Sequence, residues 1–287
     1  MEISKENSWR LLQLRVFEKH ITEAVVFFRL HGIEPILIKG WVTAQTYPDP
    51  AQRGYTDIDL IIAPDKYDDA VDLIEGYHGK MPLDLHKGAK FLDTLAYENL
   101  FNNSKTVMCG GLEIRILSAE DHLRILCVHW LIGGAEKNRL WDIYYAVENR
   151  PPDFDWDKCL NAVNDTRRKW IICAIGLAQK YLGLSLENTP LAGKTVDIPE
   201  WIIKAVEKEW RSEIRLVSLE HCLRDGKILW QQIKKRLPPN PIQATIDMEG
   251  EFDNRPRIIY QVGNVFQRLG PAIRRIVNKV SFVSKNQ

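Results

Sequence analysis

The residues best suited to chemistry lie in a short stretch where Asp57 and Asp59 are separated by one apolar residue. The run from Ile58 to Ile62 predicts a strand, and strand side chains alternate between faces, so both carboxylates point the same way. Paired carboxylates repel each other unless water or a cation lies between them, and their oxygens suit Mg²⁺. The spacing favours a metal site, but a solvated strand end or a helix-capping aspartate would also explain it.

A third carboxylate follows in a second alternating segment, Leu83 to His86. Asp84 lies on the face opposite its leucine neighbours, and His86 shares that face. If this strand pairs with the first, three carboxylates converge, and without a metal each would repel the others. His86 could orient a phosphate or an acceptor, or make a supporting hydrogen bond.

Candidate phosphate-binding residues lie before the carboxylates. Lys39 and Gly40 end the apolar segment 36–38 and open a short helix, where backbone N–H groups would face outward and glycine would allow close approach of an anion. Lys39 and Arg53 could neutralise phosphate oxygens, Arg53 through two N–H groups. Each could equally be a solvent-facing strand-end or loop residue.

The pattern of elements changes along the chain. Helical and strand patterns alternate at first, with a hairpin predicted around Gly110 and Gly111. From Ser118 onward almost every segment is helical in pattern. The sequence therefore predicts an α+β protein in which a small mixed-sheet domain precedes an all-helical domain. The predicted parts are residues 1–117 (mixed sheet), 118–237 (helical), 238–253 (linker) and 254–287 (basic amphipathic helical tail).

The predicted tail has basic residues and no acidic ones. Its pattern is typical of an amphipathic helix, interrupted at Gly270 and Pro271. Three interpretations stay open: packing onto the helical domain, recognition of an acidic acceptor or partner, and contact with a membrane surface. The basic residues are Arg255, Arg257, Arg268, Arg274, Arg275, Lys279 and Lys285.

The composition excludes several classes of protein. Lysine plus arginine (39) nearly balances aspartate plus glutamate (38), so nucleic acid is not an expected partner. No apolar run approaches the roughly 20 residues of a membrane span, and the first residues do not resemble a signal peptide. The five cysteines are scattered without a C-x-x-C pair, which suits a reducing compartment. We expect no transmembrane segment and a cytoplasmic location.

Several of these segments together resemble a bacterial nucleotidyltransferase family of the DNA-polymerase-β-like superfamily. Members are often associated with polysaccharide or peptide-modification gene clusters. The wider superfamily has Gly-Ser or Gly-Gly where this chain has Lys39-Gly40. The segments that carry the resemblance are Leu37 to Gly40, Tyr47-Pro48, Arg53, Asp57 to Leu60, Leu83 to His86, Leu117 to Leu123 and Cys127 to His129.

The resemblance implies a nucleotidyltransferase sheet in which Asp57, Asp59 and Asp84 bind the metal. On this hypothesis, two Mg²⁺ (or Mn²⁺) ions assist transfer of a nucleotidyl group from a nucleoside triphosphate, with ATP as the default choice. Asp84 would bind the second ion or act as general base. The residues expected to contact the nucleotide are Lys39, Gly40, Arg53 and His86.

The acceptor cannot be read from the sequence: a small molecule, a sugar phosphate and a peptide all stay open. Three other functions also stay open. One is a catalytically silent nucleotide-binding or antitoxin-like module. Another is a D-x-D glycosyltransferase, which usually needs a longer nucleotide-binding fold before its motif. The third is transfer of the γ-phosphate.

Overall fold

The computed structural model describes residues 5–193, 196–214, 222 and 225–268 of the 287-residue chain. These residues combine a mixed five-stranded sheet with many helices, which confirms the predicted α+β class. The strands are β1 (Ile36–Ile38), β2 (Ile58–Ile62), β3 (Leu83–Lys87), β4 (Lys105–Cys109) and β5 (Leu112–Ile116). The predicted hairpin at Gly110 and Gly111 is confirmed, and both glycines have positive φ.

The helices of the described residues alternate with the strands as far as β5 and then dominate the rest of the chain. They are α1 (Lys5–Leu30), α2 (Gly40–Ala44), α3 (Tyr67–Ile74), α4 (Tyr97–Asn103), α5 (Ala119–Ile132), α6 (Leu140–Glu148), α7 (Trp156–Asn161), α8 (Asp165–Leu182), α9 (Glu200–Trp210), α10 (Gly226–Arg236) and α11 (Pro241–Asp247). Residues 258–268 are also helical.

The strand order is β3-β2-β1-β5-β4. β2 pairs antiparallel with β1 and parallel with β3, β1 pairs parallel with β5, and β4 and β5 form the hairpin. β1 and β2 are buried throughout. Burial on both faces explains why β1 is entirely apolar and why Asp59 is the only polar residue of β2.

Strand alternation divides the sheet into a core face and a site face. On β2, Ile58, Leu60 and Ile62 belong to the hydrophobic core that contains Val25 and Phe28 of α1. Asp59, between them in sequence, therefore points to the other face of the sheet. The leucines of β3 pack against the same core, so Asp84 and His86 also lie on the site face.

The chain divides into two compact units, residues 1–129 with 138–196, and residues 130–137 with 197–287. This division does not coincide with the predicted boundary after residue 117, because α6 is bonded to the loop before β2. Asn149 Nδ2 donates to Thr46 O at 2.7 Å, and Asp142 accepts from Tyr47 and Arg53.

In the second unit, the predicted linker 238–253 contains the helix α11, capped by Asn240. The first part of the predicted tail is helical over residues 258–268, and the rest of the tail lies outside the described residues. Trp201 of α9 donates its indole N–H to Asp253 O at 2.8 Å, and Arg257 stacks on the Trp201 ring. Among the helices described, none is long and apolar enough to cross a lipid bilayer.

Candidate active site

The parallel pairing of β2 and β3 brings Asp59 and Asp84 side by side. Their Cα atoms are register partners, and His86 lies opposite Ile61, two residues further along the strands and on the same face as Asp84. The Asp59 side chain is 7% exposed, whereas that of Asp84 is 54% exposed at the sheet edge. One carboxylate is thus buried in the sheet and the other is open to water. The strand pairing on which the sequence prediction depended is present.

His86 connects the two carboxylates. Its Nε2 lies 3.2 Å from Asp59 Oδ1 and 3.4 Å from Asp84 Oδ2. Among the described residues, Asp59, Asp84 and His86 can each offer one ligand atom within 4.8 Å of the other two. We call these three residues the acidic cluster. Two carboxylates and an imidazole are donors that divalent cations accept, so the residues present fit a metal ion.

Lys39 neutralises the buried member of the acidic cluster. Its Nζ lies 2.5 Å from Asp59 Oδ1, and both side chains are 7% exposed. The same oxygen therefore meets an ammonium group and an imidazole. This direct ion pair was not foreseen from the sequence, where Lys39 was expected to contact phosphate.

Asp57 comes immediately before β2 and is partly exposed. It is not a member of the acidic cluster, so its role as a metal ligand stays a prediction. Burial raises the pKa of Asp57, and the nearby Asp59 and Asp84 charges raise it further, against the opposing effect of Lys39. The carboxylates of Asp59 and Asp84 therefore disfavour a negative charge on Asp57.

The pKa values at the sheet edge reflect the imidazole between the carboxylates. The hydrogen bond from His86 lowers the pKa of Asp84 to about 2, which outweighs the opposing effect of burial. Burial alone would lower the pKa of His86, but its hydrogen bonds to Asp59 and Asp84 outweigh burial and the pKa is raised. The charged forms of both partners are therefore favoured.

The backbone of Lys39 is held in a conformation that residues other than glycine rarely adopt, with φ 52° and ψ −142°. Its N–H donates to Nε2 of His122, on α5, at 3.3 Å, and its C=O accepts from Thr43 N at 3.0 Å. Burial lowers the pKa of His122 to about 4, so the ring is neutral near pH 7 and can accept this bond.

The phosphate-binding prediction for Lys39 and Gly40 needs correction in one respect. The N–H of Lys39, expected to face outward, points inward to His122, and all five residues of α2 are buried. Gly40 has φ 32°, and a Cβ there would lie 3.6 Å from the Tyr55 ring, which is an ordinary contact. The glycine is thus required by its backbone angle more than by space.

Arg53, which the sequence predicts to contact the nucleotide, makes hydrogen bonds within the chain. Its Nε and Nη2 donate to the two carboxylate oxygens of Asp142 at 3.1 and 2.8 Å, and Nη1 donates to Gly54 O. Tyr47 donates to the same carboxylate at 2.6 Å. The partners are 89 residues apart in sequence, so no local signal could reveal the pair. Arg53 joins the loop before β2 to α6.

A second group of buried charges lies apart from the acidic cluster. Arg124 donates to Asp93 at 2.8 Å and to Asp121 at 2.5 Å, and all three side chains are fully buried. The N–H of Asp121 donates to Ser118 Oγ at 3.2 Å, at the start of α5. These aspartates hold an arginine, and neither belongs to the acidic cluster.

Comparisons with known proteins relate part of this chain to nucleotidyltransferases. Residues 11–90 match the model of a family described as uncharacterised nucleotidyltransferases, a span that contains Lys39, Asp57 and the acidic cluster. The match confirms the nucleotidyltransferase resemblance for this part of the chain.

Among solved structures, an antigenic nucleotidyltransferase-like protein from Paracoccidioides brasiliensis is similar, with 15% identity and a TM-score of 0.43. The alignment covers 58% of this chain and 89% of that one. The search of curated proteins gave no match.

Proposed function

We propose that the protein is a metal-dependent nucleotidyltransferase that moves a nucleoside monophosphate from a nucleoside triphosphate to an acceptor hydroxyl or phosphate. The observation that carries this proposal is the register of Asp59 against Asp84, with His86 between their carboxylates, inside the segment that matches a nucleotidyltransferase family.

Each residue of the site has a role that follows from its position. Asp59, on the central part of the sheet, is the fixed carboxylate, and Asp84 is the one that water and substrate can reach. Asp57 is proposed as a further ligand because the charges of Asp59 and Asp84 both raise its pKa. A divalent cation bound by these acids would lower the pKa of the attacking hydroxyl and stabilise the pyrophosphate leaving group.

Asp84 is better suited to binding a cation than to accepting a proton. A general base works best when its pKa lies near the working pH, and the pKa of Asp84 is about 2. We therefore assign Asp84 to cation binding. His86 is assigned to holding the two carboxylates in place, and Lys39 to balancing the negative charge of the triphosphate.

The proposal is tested by following the label from nucleoside triphosphates that carry ³²P at the α or the γ position. The full chain is incubated with each of the four nucleotides, Mg²⁺ and an extract of the source cells as the acceptor mixture. We expect α-label to enter a new product while pyrophosphate is released. Asp59→Asn should reduce this transfer by at least ~100-fold, because several kcal/mol of transition-state stabilisation are lost.

The matched control is Asp72→Asn, at an exposed carboxylate of α3, which should transfer label at the wild-type rate. Transfer of γ-label alone would show a phosphotransferase. No transfer from either position, under conditions where nucleotide binds, would contradict an enzymatic function and favour a binding module.

A further inference from the structure

The Lys39 ammonium lies beside Asp59, in the position where a bound metal cation would be expected. A buried carboxylate needs a partner, because the cost of taking an isolated charge out of water is large. Lys39 Nζ supplies that partner at 2.5 Å, and His86 Nε2 reaches the same oxygen at 3.2 Å. Asp59 Oδ1 is therefore fully engaged by this chain's own groups.

The backbone of Lys39 is fixed by two hydrogen bonds, whereas its ammonium lies at the end of a flexible stem. The N–H is bonded to His122 and the C=O to Thr43, so the strained φ of 52° is held from both sides. The register places Ile38 directly opposite Asp59. Lys39 is the next residue after Ile38, so its backbone lies close to the carboxylate that it pairs with. A lysine stem of four carbons can carry the ammonium from one anion to another near this anchor.

The charges around the site favour joint arrival of cation and triphosphate. A divalent cation alone would meet the Lys39 ammonium, which lies 2.5 Å from the Asp59 oxygen that the cation would bind. A cation that arrives with a triphosphate brings an excess of negative charge, to which the ammonium can transfer. The cost of separating Lys39 from Asp59 is then offset by a new ion pair.

We propose that Lys39 is an internal counter-cation, which holds Asp59 Oδ1 in the free protein and is exchanged onto the triphosphate when a metal–nucleotide complex enters. This inference rests on the proposed function, since it takes the acidic cluster as the metal site. Its consequence is an order of binding: the site admits a divalent cation poorly by itself and readily together with a triphosphate.

The test measures Mn²⁺ bound to the full chain by equilibrium dialysis, alone and with inorganic tripolyphosphate, a probe that requires no knowledge of the base. Wild-type protein should bind Mn²⁺ weakly alone and retain Mn²⁺ and tripolyphosphate together. Lys39→Met should bind Mn²⁺ alone with a Kd at least about tenfold lower, because unit charges about 4 Å apart repel strongly at the effective dielectric of a protein. It should also lose the enhancement by tripolyphosphate.

Further variants separate the possible failures. Lys39→Gly removes the same ammonium and tolerates a positive φ, so it serves if Lys39→Met does not fold. Lys66→Met, at an exposed lysine, is the matched control and should bind as wild type. If Asp59→Asn abolishes Mn²⁺ binding but neither Lys39 variant binds Mn²⁺ more tightly, the counter-cation inference is overturned while the metal site stands. If Asp59→Asn leaves Mn²⁺ binding unchanged, the metal site in the proposed function fails.

Discussion

The Asp59 carboxylate is buried, where an isolated charge would be destabilising, and the residues around it compensate for that burial. Lys39 and His86 balance the carboxylate, and His122 holds the backbone from which the Lys39 side chain extends. The sequence identified Asp59, Lys39 and His86 as candidates from their types and spacing. It could not show that the lysine pairs with the aspartate, because that depends on a backbone angle that the residue type does not favour.

The buried imidazole of His122 predicts a pH dependence of stability. Its pKa in the folded protein is about 4, below the usual 6.5, because burial disfavours the charged ring. As the pH falls from 6.5 to 4 the unfolded chain takes up the proton first, so the free energy of unfolding decreases, by ~3 kcal/mol from this group. Above pH 6.5 the contribution is constant.

Urea unfolding of wild type and His122→Gln at several pH values measures this effect. Glutamine keeps a hydrogen-bond acceptor for Lys39 N–H and does not titrate, so the variant should lose less stability between pH 6.5 and 4. His78→Gln, at an exposed histidine, is the matched control. Equal slopes for wild type and His122→Gln would contradict a neutral, buried His122.

At the scale of elements, the site depends on the parallel pairing of β2 and β3. Strand alternation in the sequence predicted that Asp59 points away from Ile58 and Leu60, and that Asp84 and His86 point away from the leucines of their own strand, which pack on the same core. The sequence argument had to assume that the two strands pair, because contacts between strands that are distant in sequence leave no local signal. The structure supplies that pairing.

The loop before β2 is attached to α6 by a buried ion pair whose loss we expect to be costly. Arg53 and Asp142 are 8% and 7% exposed and share two hydrogen bonds. Asp142→Ala would leave the arginine charge buried without its partner, and should lower the free energy of unfolding by ~3–5 kcal/mol.

Urea unfolding of wild type and Asp142→Ala measures this loss in the free energy of unfolding. The control is Lys19→Gln, which breaks an exposed ion pair on α1 at 3.7 Å and should change stability by less than ~1 kcal/mol. A similar small effect of Asp142→Ala would mean that Arg53 is not held by this contact.

At the scale of the whole molecule, the sequence predicted the mixed-sheet part followed by helices, and the limits of the domains stay a prediction. The change from alternating to helical patterns near Ser118 is real, but α6, α7 and α8 group with the sheet. Periodicity reports which face of a helix is buried and not what it is buried against. The contacts that attach α6, such as Asn149 to Thr46, join residues 103 apart in sequence.

The most direct test of the central claim, that the acidic cluster binds a metal–nucleotide complex, is a thermal unfolding measurement. Each of the four nucleoside triphosphates is added with and without Mg²⁺ to wild type and to Asp59→Asn, and each Tm is compared with that of the same protein alone. A ligand at about 100 times its Kd stabilises by ~2.7 kcal/mol, a shift of a few degrees. We predict such a shift for at least one nucleotide, only with Mg²⁺ and only with Asp59 intact; no shift with any nucleotide, or an equal shift in Asp59→Asn, would contradict the claim.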